Sequence, residues 1–209
     1  MGKSLNDLSP LAALVETARL FYQRGWMPGT AGNLSARDRH NPRRFWITGS
    51  GLPKGHLEEH DFLCIDSDST QIVGQPRSGL RPSAEAGIHL AVYQNVPAAN
   101  ACLHIHTVDA CIAEQRHAKE GALPLPALEM IKGLGIWDES PQLSVPVFRN
   151  HAHVPQIADE IASWLKSYAV KVPALLIAGH GVTVWGESVQ EAVNRIESIE
   201  FLFSYLART

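Results

Sequence analysis

His104 and His106 stand two residues apart in the run Cys102-Leu-His-Ile-His106. On an extended strand that spacing sends both side chains to one face, where two imidazoles can reach one ion at about 2.0–2.1 Å. His180 supplies a third donor. It follows the apolar run 174–178 and sits between Gly179 and Gly181, where the backbone can bend and come close to a site. Three imidazoles with a fourth position open form the donor set of a catalytic divalent metal. Imidazole suits zinc, iron, cobalt and nickel alike, and one Zn2+ per subunit is the expectation. His151-Ala-His153 repeats the spacing but has Pro146, Arg149 and Asn150 before it in place of an apolar strand. It reads as a loop leading into a helix, outside the metal site. Cys102 shares the histidine face and reads as a small buried hydrophobe.

Four stretches could hold a phosphate: Thr30-Ala-Gly32-Asn33, Thr48-Gly-Ser50-Gly51, Lys54-Gly55, and a helix start at Ser83. Small residues expose backbone N–H groups, hydroxyls and the Asn33 amide can donate, and a helix N-terminus adds a favourable dipole. The string GSGLPKG has neither the glycine spacing nor the strand context of a nucleotide-binding loop, so no nucleotide cofactor is expected. Two carboxylates, Glu85 and Glu129, are candidate acid/base groups if the metal lies near them, since enolising a ketone needs a base at the α-proton and a metal at the carbonyl oxygen. Periodicity does not choose between them.

The elements that must position these groups follow from pattern. Leu8, Leu11, Val15, Ala18 and Tyr22 recur at helical steps after Ser9-Pro10, predicting a helix near 9–24 ended by Gly25. A turn-rich GTAGNLS precedes strand-like 45–47 and 62–65. Ser83 is expected to cap a helix reaching about Asn95. Strands are expected at 101–106, 144–148, 174–178 and 182–185, with helices at 154–168 and 188–207. This alternation, without repeat or linker, predicts a layered α/β domain, and several strand pairs lie too close for helical crossovers, so the sheet need not be parallel.

The chain of 209 residues, 45 % hydrophobic and 19 % charged, is expected to form one domain over 1–209. A net charge of −3 gives no basic field for nucleic acid. No apolar run approaches the roughly 18 residues of a membrane span, and no signal segment is evident, so the expected location is the cytoplasm. The three cysteines form no C-x-x-C pair and read as reduced thiols.

GTAGNLS, ITGSG, RPSAE, CLHIHT and AGHGVTVWG, in this order, resemble the class II aldolase/adducin head family along nearly the whole chain. The resemblance implies a three-layer α/β/α fold with a largely antiparallel central sheet, and a homotetramer with sites near subunit interfaces. It also implies zinc on His104, His106 and His180, and substrate phosphate on Asn33, Ser50, Gly51 and Ser83. Glu85 matches the acid/base position of the family's aldolases. Ala84 stands where those aldolases carry a second serine. SGLPKG and ALEMIKGLGIW resemble the branch that dehydrates 5-methylthioribulose 1-phosphate in methionine salvage, and there Glu129 matches the expected acid/base. Competing expectations are a ketose-phosphate aldolase or 4-epimerase, and a non-catalytic binding module like the adducin heads.

Overall fold

Ser9 accepts a hydrogen bond from the Ala12 amide at 3.1 Å, and Pro10 opens the first helix, α1 (Pro10–Gln23), which Gly25 ends at φ +73°. The computed structural model describes residues 4–138 and 142–209. After α1 come β1 (Asn33–Arg37), β2 (Arg44–Thr48), β3 (Phe62–Asp66) and β4 (Ile72–Val73), then α2 (Ala86–Asn95), β5 (Ala101–Ile105) and α3 (Val108–His117). The second half runs β6 (Ala122–Pro124), β7 (Ser144–Phe148), α4 (Val154–Ser167), β8 (Ala174–Ile177), β9 (Gly181–Gly186) and α5 (Val189–Arg208).

The strands form one sheet in the order β4-β3-β2-β1-β5-β9-β8-β7-β6. Every neighbouring pair is antiparallel except β7 with β8. Helices cover both faces. Ala13, Leu14 and Ala18 of α1, Ala110 and Ala113 of α3, and the apolar stripe of α5 pack on one face; Ile88, Ala91 and Val92 of α2 with Ile157, Ile161 and Leu165 of α4 pack on the other. The expected three-layer α/β/α arrangement with a largely antiparallel sheet is therefore the observed one. Strand alternation is visible at β5, where Ala101, Leu103 and Ile105 join the first core and Cys102 the second.

Besides the short edge strands β4 and β6, which were not expected, three segments differ from expectation. The GTAGNLS stretch is not only turn: its second half is β1, an interior strand between β2 and β5. Its polar residues disguise it, because Asn33 and Ser35 are buried but hydrogen-bonded. Helix α3 was not among the expected elements, because its apolar residues 110–113 come as one run followed by the polar run 114–117 and give little amphipathic contrast. Finally, α2 begins at Ala86, with Glu85 rather than Ser83 at its cap position. Ser83 is held back at the sheet because its amide donates to Thr48 O at 3.2 Å and Pro82 bridges Gly49. Glu85 is thereby left in a turn (φ −94°, ψ 9°), and its side chain is free to leave the helix axis. Among the described residues no helix is long and apolar enough to cross a membrane.

Candidate metal centre

Antiparallel pairing brings the start of β1, the end of β5 and the start of β9 to one end of the sheet. The register is specific: Asn33 faces His104 across β1 and β5, and His104 faces Thr183 across β5 and β9. The turn between β8 and β9 carries His180 to the same end. Gly181 permits this, since a Cβ there would lie 2.2 Å from Ile105 O and 3.2 Å from His106 Cδ2. Gly32 plays the same part before β1, at φ +76° and with His104 O only 2.9 Å from where its Cβ would be.

His104, His106, His180 and Glu85 meet there, each offering a ligand atom within 4.8 Å of the others. His104 Nε2 lies 2.9 Å from His106 Nε2, and His180 Nε2 lies 2.8 Å from Glu85 Oε1. His104 is fully buried and its Nδ1 is 2.9 Å from Thr183 Oγ1, while His180 Nδ1 is 3.3 Å from Asn150 Oδ1, an atom that can only accept. The Asn150 oxygen sets the His180 proton on Nδ1 and leaves its Nε2 lone pair pointing inward, and the Thr183 hydroxyl can accept from His104 Nδ1 to the same effect, as metal-ligating histidines require. Two Nε2 atoms this close repel unless a proton or a cation lies between them, and a lone pair facing a carboxylate oxygen repels in the same way. The donor set fits a divalent metal on this ground, with Glu85 as a fourth ligand or an adjacent base.

The electrostatics agree. Burial, then the charges of His104 and His180, pushes His106 down to about 3, so the ring is neutral and free to ligate. Burial likewise lowers His104, with Glu85 opposing. Burial alone would raise the Glu85 carboxyl, but His104, His180 and the hydrogen bond from the Asn33 amide outweigh it and hold the carboxyl well below the usual carboxylate range.

The family model described as the Class II Aldolase and Adducin N-terminal domain matches residues 12–206. The chain belongs to this family. It is 49 % identical over 202 residues to the methylthioribulose-1-phosphate dehydratase of Microcystis aeruginosa, covering 94 % of each chain. It is 46 % identical over 206 residues to the protein of the same name from Leptospira biflexa serovar Patoc, covering 96 % of this chain and 98 % of that one. Among solved structures, YgbL of Escherichia coli, a putative aldolase/epimerase/decarboxylase, superposes with a TM-score of 0.77 at 26 % identity, covering 93 % of this chain and 86 % of that one.

In this class II aldolase-family chain, the remaining residues singled out by sequence fall into two groups. Ser50, Gly51 and Ser83 share the metal end of the sheet. Ser50 and Gly51 form an exposed turn following β2, and the Ser50 amide is already committed to Arg81 O at 2.8 Å. Asn33 is buried, with its amide nitrogen donating to Glu85 Oε2. Lys54 is 2 % exposed, and its Nζ donates to Thr30 O at 2.7 Å and Leu52 O at 2.9 Å, tying two glycine loops together. Burial, partly offset by Glu85, brings its ammonium down to about 8. Glu129 is not in the cluster. It opens a 3-10 turn (Glu129–Leu134), stands 81 % exposed, pairs with Lys132 Nζ at 2.7 Å, and lines a surface cavity with Leu128, Ile131 and Trp137 that contains none of the histidines. His151 and His153 also lie apart, with His151 Nε2 bound to Glu160 Oε1 at 2.8 Å. Glu85, a candidate acid/base on condition that the metal lay near it, is brought beside the histidines by the fold.

Proposed function

We propose that the chain is a methylthioribulose-1-phosphate dehydratase of methionine salvage, acting in the cytoplasm as a single catalytic domain. It removes water from 5-methylthioribulose 1-phosphate to give 5-methylthio-2,3-dioxopentyl 1-phosphate. The observation that carries this reading is the convergence of three Nε2 atoms and the Glu85 carboxylate at the end of a sheet, in a chain 46–49 % identical over nearly its full length to proteins of that name.

His104, His106 and His180 hold one divalent ion, zinc in this reading. Bound there, it supplies Lewis acidity that makes the proton on C3, next to the ketose carbonyl, acidic. The Glu85 carboxylate, kept ionised by the histidines, accepts that proton or fixes the geometry in which it is lost. Ser50, Gly51 and Ser83, with the remaining proton of the Asn33 amide, anchor the substrate phosphate. Glu129 protonates the C4 hydroxyl as its C–O bond breaks, so water leaves and the C3–C4 enol becomes the diketone. Glu129 is remote from the cluster of its own chain, so this reading has it act at a site completed by a neighbouring copy in a homotetramer. The exposed Trp137 beside it, 73 % accessible, suits a face that another subunit covers.

Incubation with 5-methylthioribulose 1-phosphate, with metal analysis of the untreated protein, tests the reading. A diketone without any aldehyde fragment is expected, together with about one metal ion per chain. An aldehyde product would replace it with an aldolase. A metal-free native protein that turns over nothing would point to a binding module.

A further inference from the structure

Behind Glu85 lies a buried chain of polar groups of which the reaction as described uses only the Asn33 amide. The Asn33 amide nitrogen donates to Glu85 Oε2. Asn33 Oδ1 lies 2.5 Å from His89 Nε2, His89 Nδ1 lies 2.6 Å from Ser35 Oγ, and Ser35 Oγ lies 2.7 Å from the Tyr93 hydroxyl. Asn33, Ser35, His89 and Tyr93 are all buried. His89 and Tyr93 project from α2 toward β1, so the helix that follows Glu85 also reaches the strand that holds it.

Donor and acceptor chemistry fixes the direction of every bond in this chain. An ionised carboxylate only accepts, so Asn33 must present its NH2 to Glu85 and its carbonyl oxygen to His89. That oxygen only accepts, so His89 must carry its proton on Nε2. Nδ1 then has a lone pair, which takes the Ser35 hydroxyl proton, and Ser35 in turn accepts from Tyr93. The competing acceptor for Ser35, Cys102 O, is more distant at 3.3 Å.

We infer that His89 is a positioning residue: as the neutral Nε2–H tautomer it locks the Asn33 amide in the one orientation that donates to Glu85, and so holds that carboxylate against the metal-site histidines. The opposite tautomer would place two lone pairs together at 2.5 Å or force the Asn33 carbonyl onto the carboxylate. Burial, aided by the charge of His104, also pushes the His89 ring down to about 3, consistent with a ring that stays neutral. The inference rests on the dehydratase reading only for the activity that reports it.

The test uses 15N-histidine-labelled, metal-loaded protein. The His89 ring should show the neutral Nε2-protonated pattern throughout about pH 5 to 8; an Nδ1-protonated ring, or one that titrates in this range, overturns the inference. In kinetics, His89→Phe should lower kcat about 10- to 100-fold and raise KM for the phosphate ester by a smaller factor, since Asn33 also helps anchor the phosphate, and His89→Gln, whose amide can donate from the same place, should recover most of both. Normal kcat in a folded His89→Phe protein also overturns it. If that variant does not fold, the wild-type tautomer still decides. Lack of any activity in the wild type would sink the dehydratase reading alone, since the tautomer is read without substrate.

Discussion

Glu85 Oε1 lies 2.8 Å from His180 Nε2, joining the turn before α2 to the turn between β8 and β9. Both groups are mostly buried, so the contact is poorly screened. Glu85→Gln keeps the shape and removes the charge. Turnover should fall about 10²- to 10⁴-fold if the carboxylate moves a proton, and metal affinity should weaken as well if it ligates. Turnover within a factor of two of wild type would remove Glu85 from both roles.

Among the described residues the Glu129 carboxylate is bound only by an exposed lysine. Glu129→Gln should therefore leave thermal stability within about 0.5 kcal/mol of wild type, and the metal content whole. Turnover should nevertheless fall at least about 10²-fold, the loss expected for a general acid. Equal rates for the two proteins would end the assignment.

Gly181→Ala places a methyl carbon 2.2 Å from Ile105 O, where backbone rather than a flexible side chain must yield. β5 and β9 should part at the end from which His106 leaves, costing about 1–3 kcal/mol and weakening metal binding. Gly179→Ala is the comparison. Its Cβ meets nothing within 4 Å, and only its positive φ of +59° opposes the change, a cost of about 1–2 kcal/mol. Metal titration of both variants should show the larger loss in the first.

Glu200 on α5 accepts a hydrogen bond from the Thr107 hydroxyl at 3.0 Å. Burial raises its carboxyl from the ordinary 4.5 to about 8, with Asp109 adding to the rise and Thr107 opposing it. The folded pKa lies above the unfolded one, so the contribution to stability is complete below about 4.5 and is lost as pH rises through about 8. The slope from this group is at most about 1.4 kcal/mol per pH unit. Denaturant melts between these pH values should show wild-type stability declining, with a shallower decline in Glu200→Gln. Parallel pH profiles would contradict the shift.

Much of this was readable before any fold was known, because it depends on local periodicity. A two-residue repeat sets His104 and His106 on one face whatever the sheet does, glycines on both sides of His180 announce a sharp turn, and Ser9-Pro10 announces a helix. Alternating apolar runs likewise identified the layers, since each strand and helix must bury its apolar side. The position of Glu85 was not legible in this way. It depends on Ser83 being held by Thr48, which delays the start of α2, and on an antiparallel register that sets Asn33 opposite His104. Buried Asn33 and Ser35 fell in a stretch that read as turn, and His89 in an expected helix that gave no sign of its role, because a sequence shows polarity but not the partners that satisfy it. The three imidazoles could be named from spacing; the carboxylate beside them, and the hydrogen-bonded chain that holds it, were decided by strand pairing, which brings together groups that no local pattern connects.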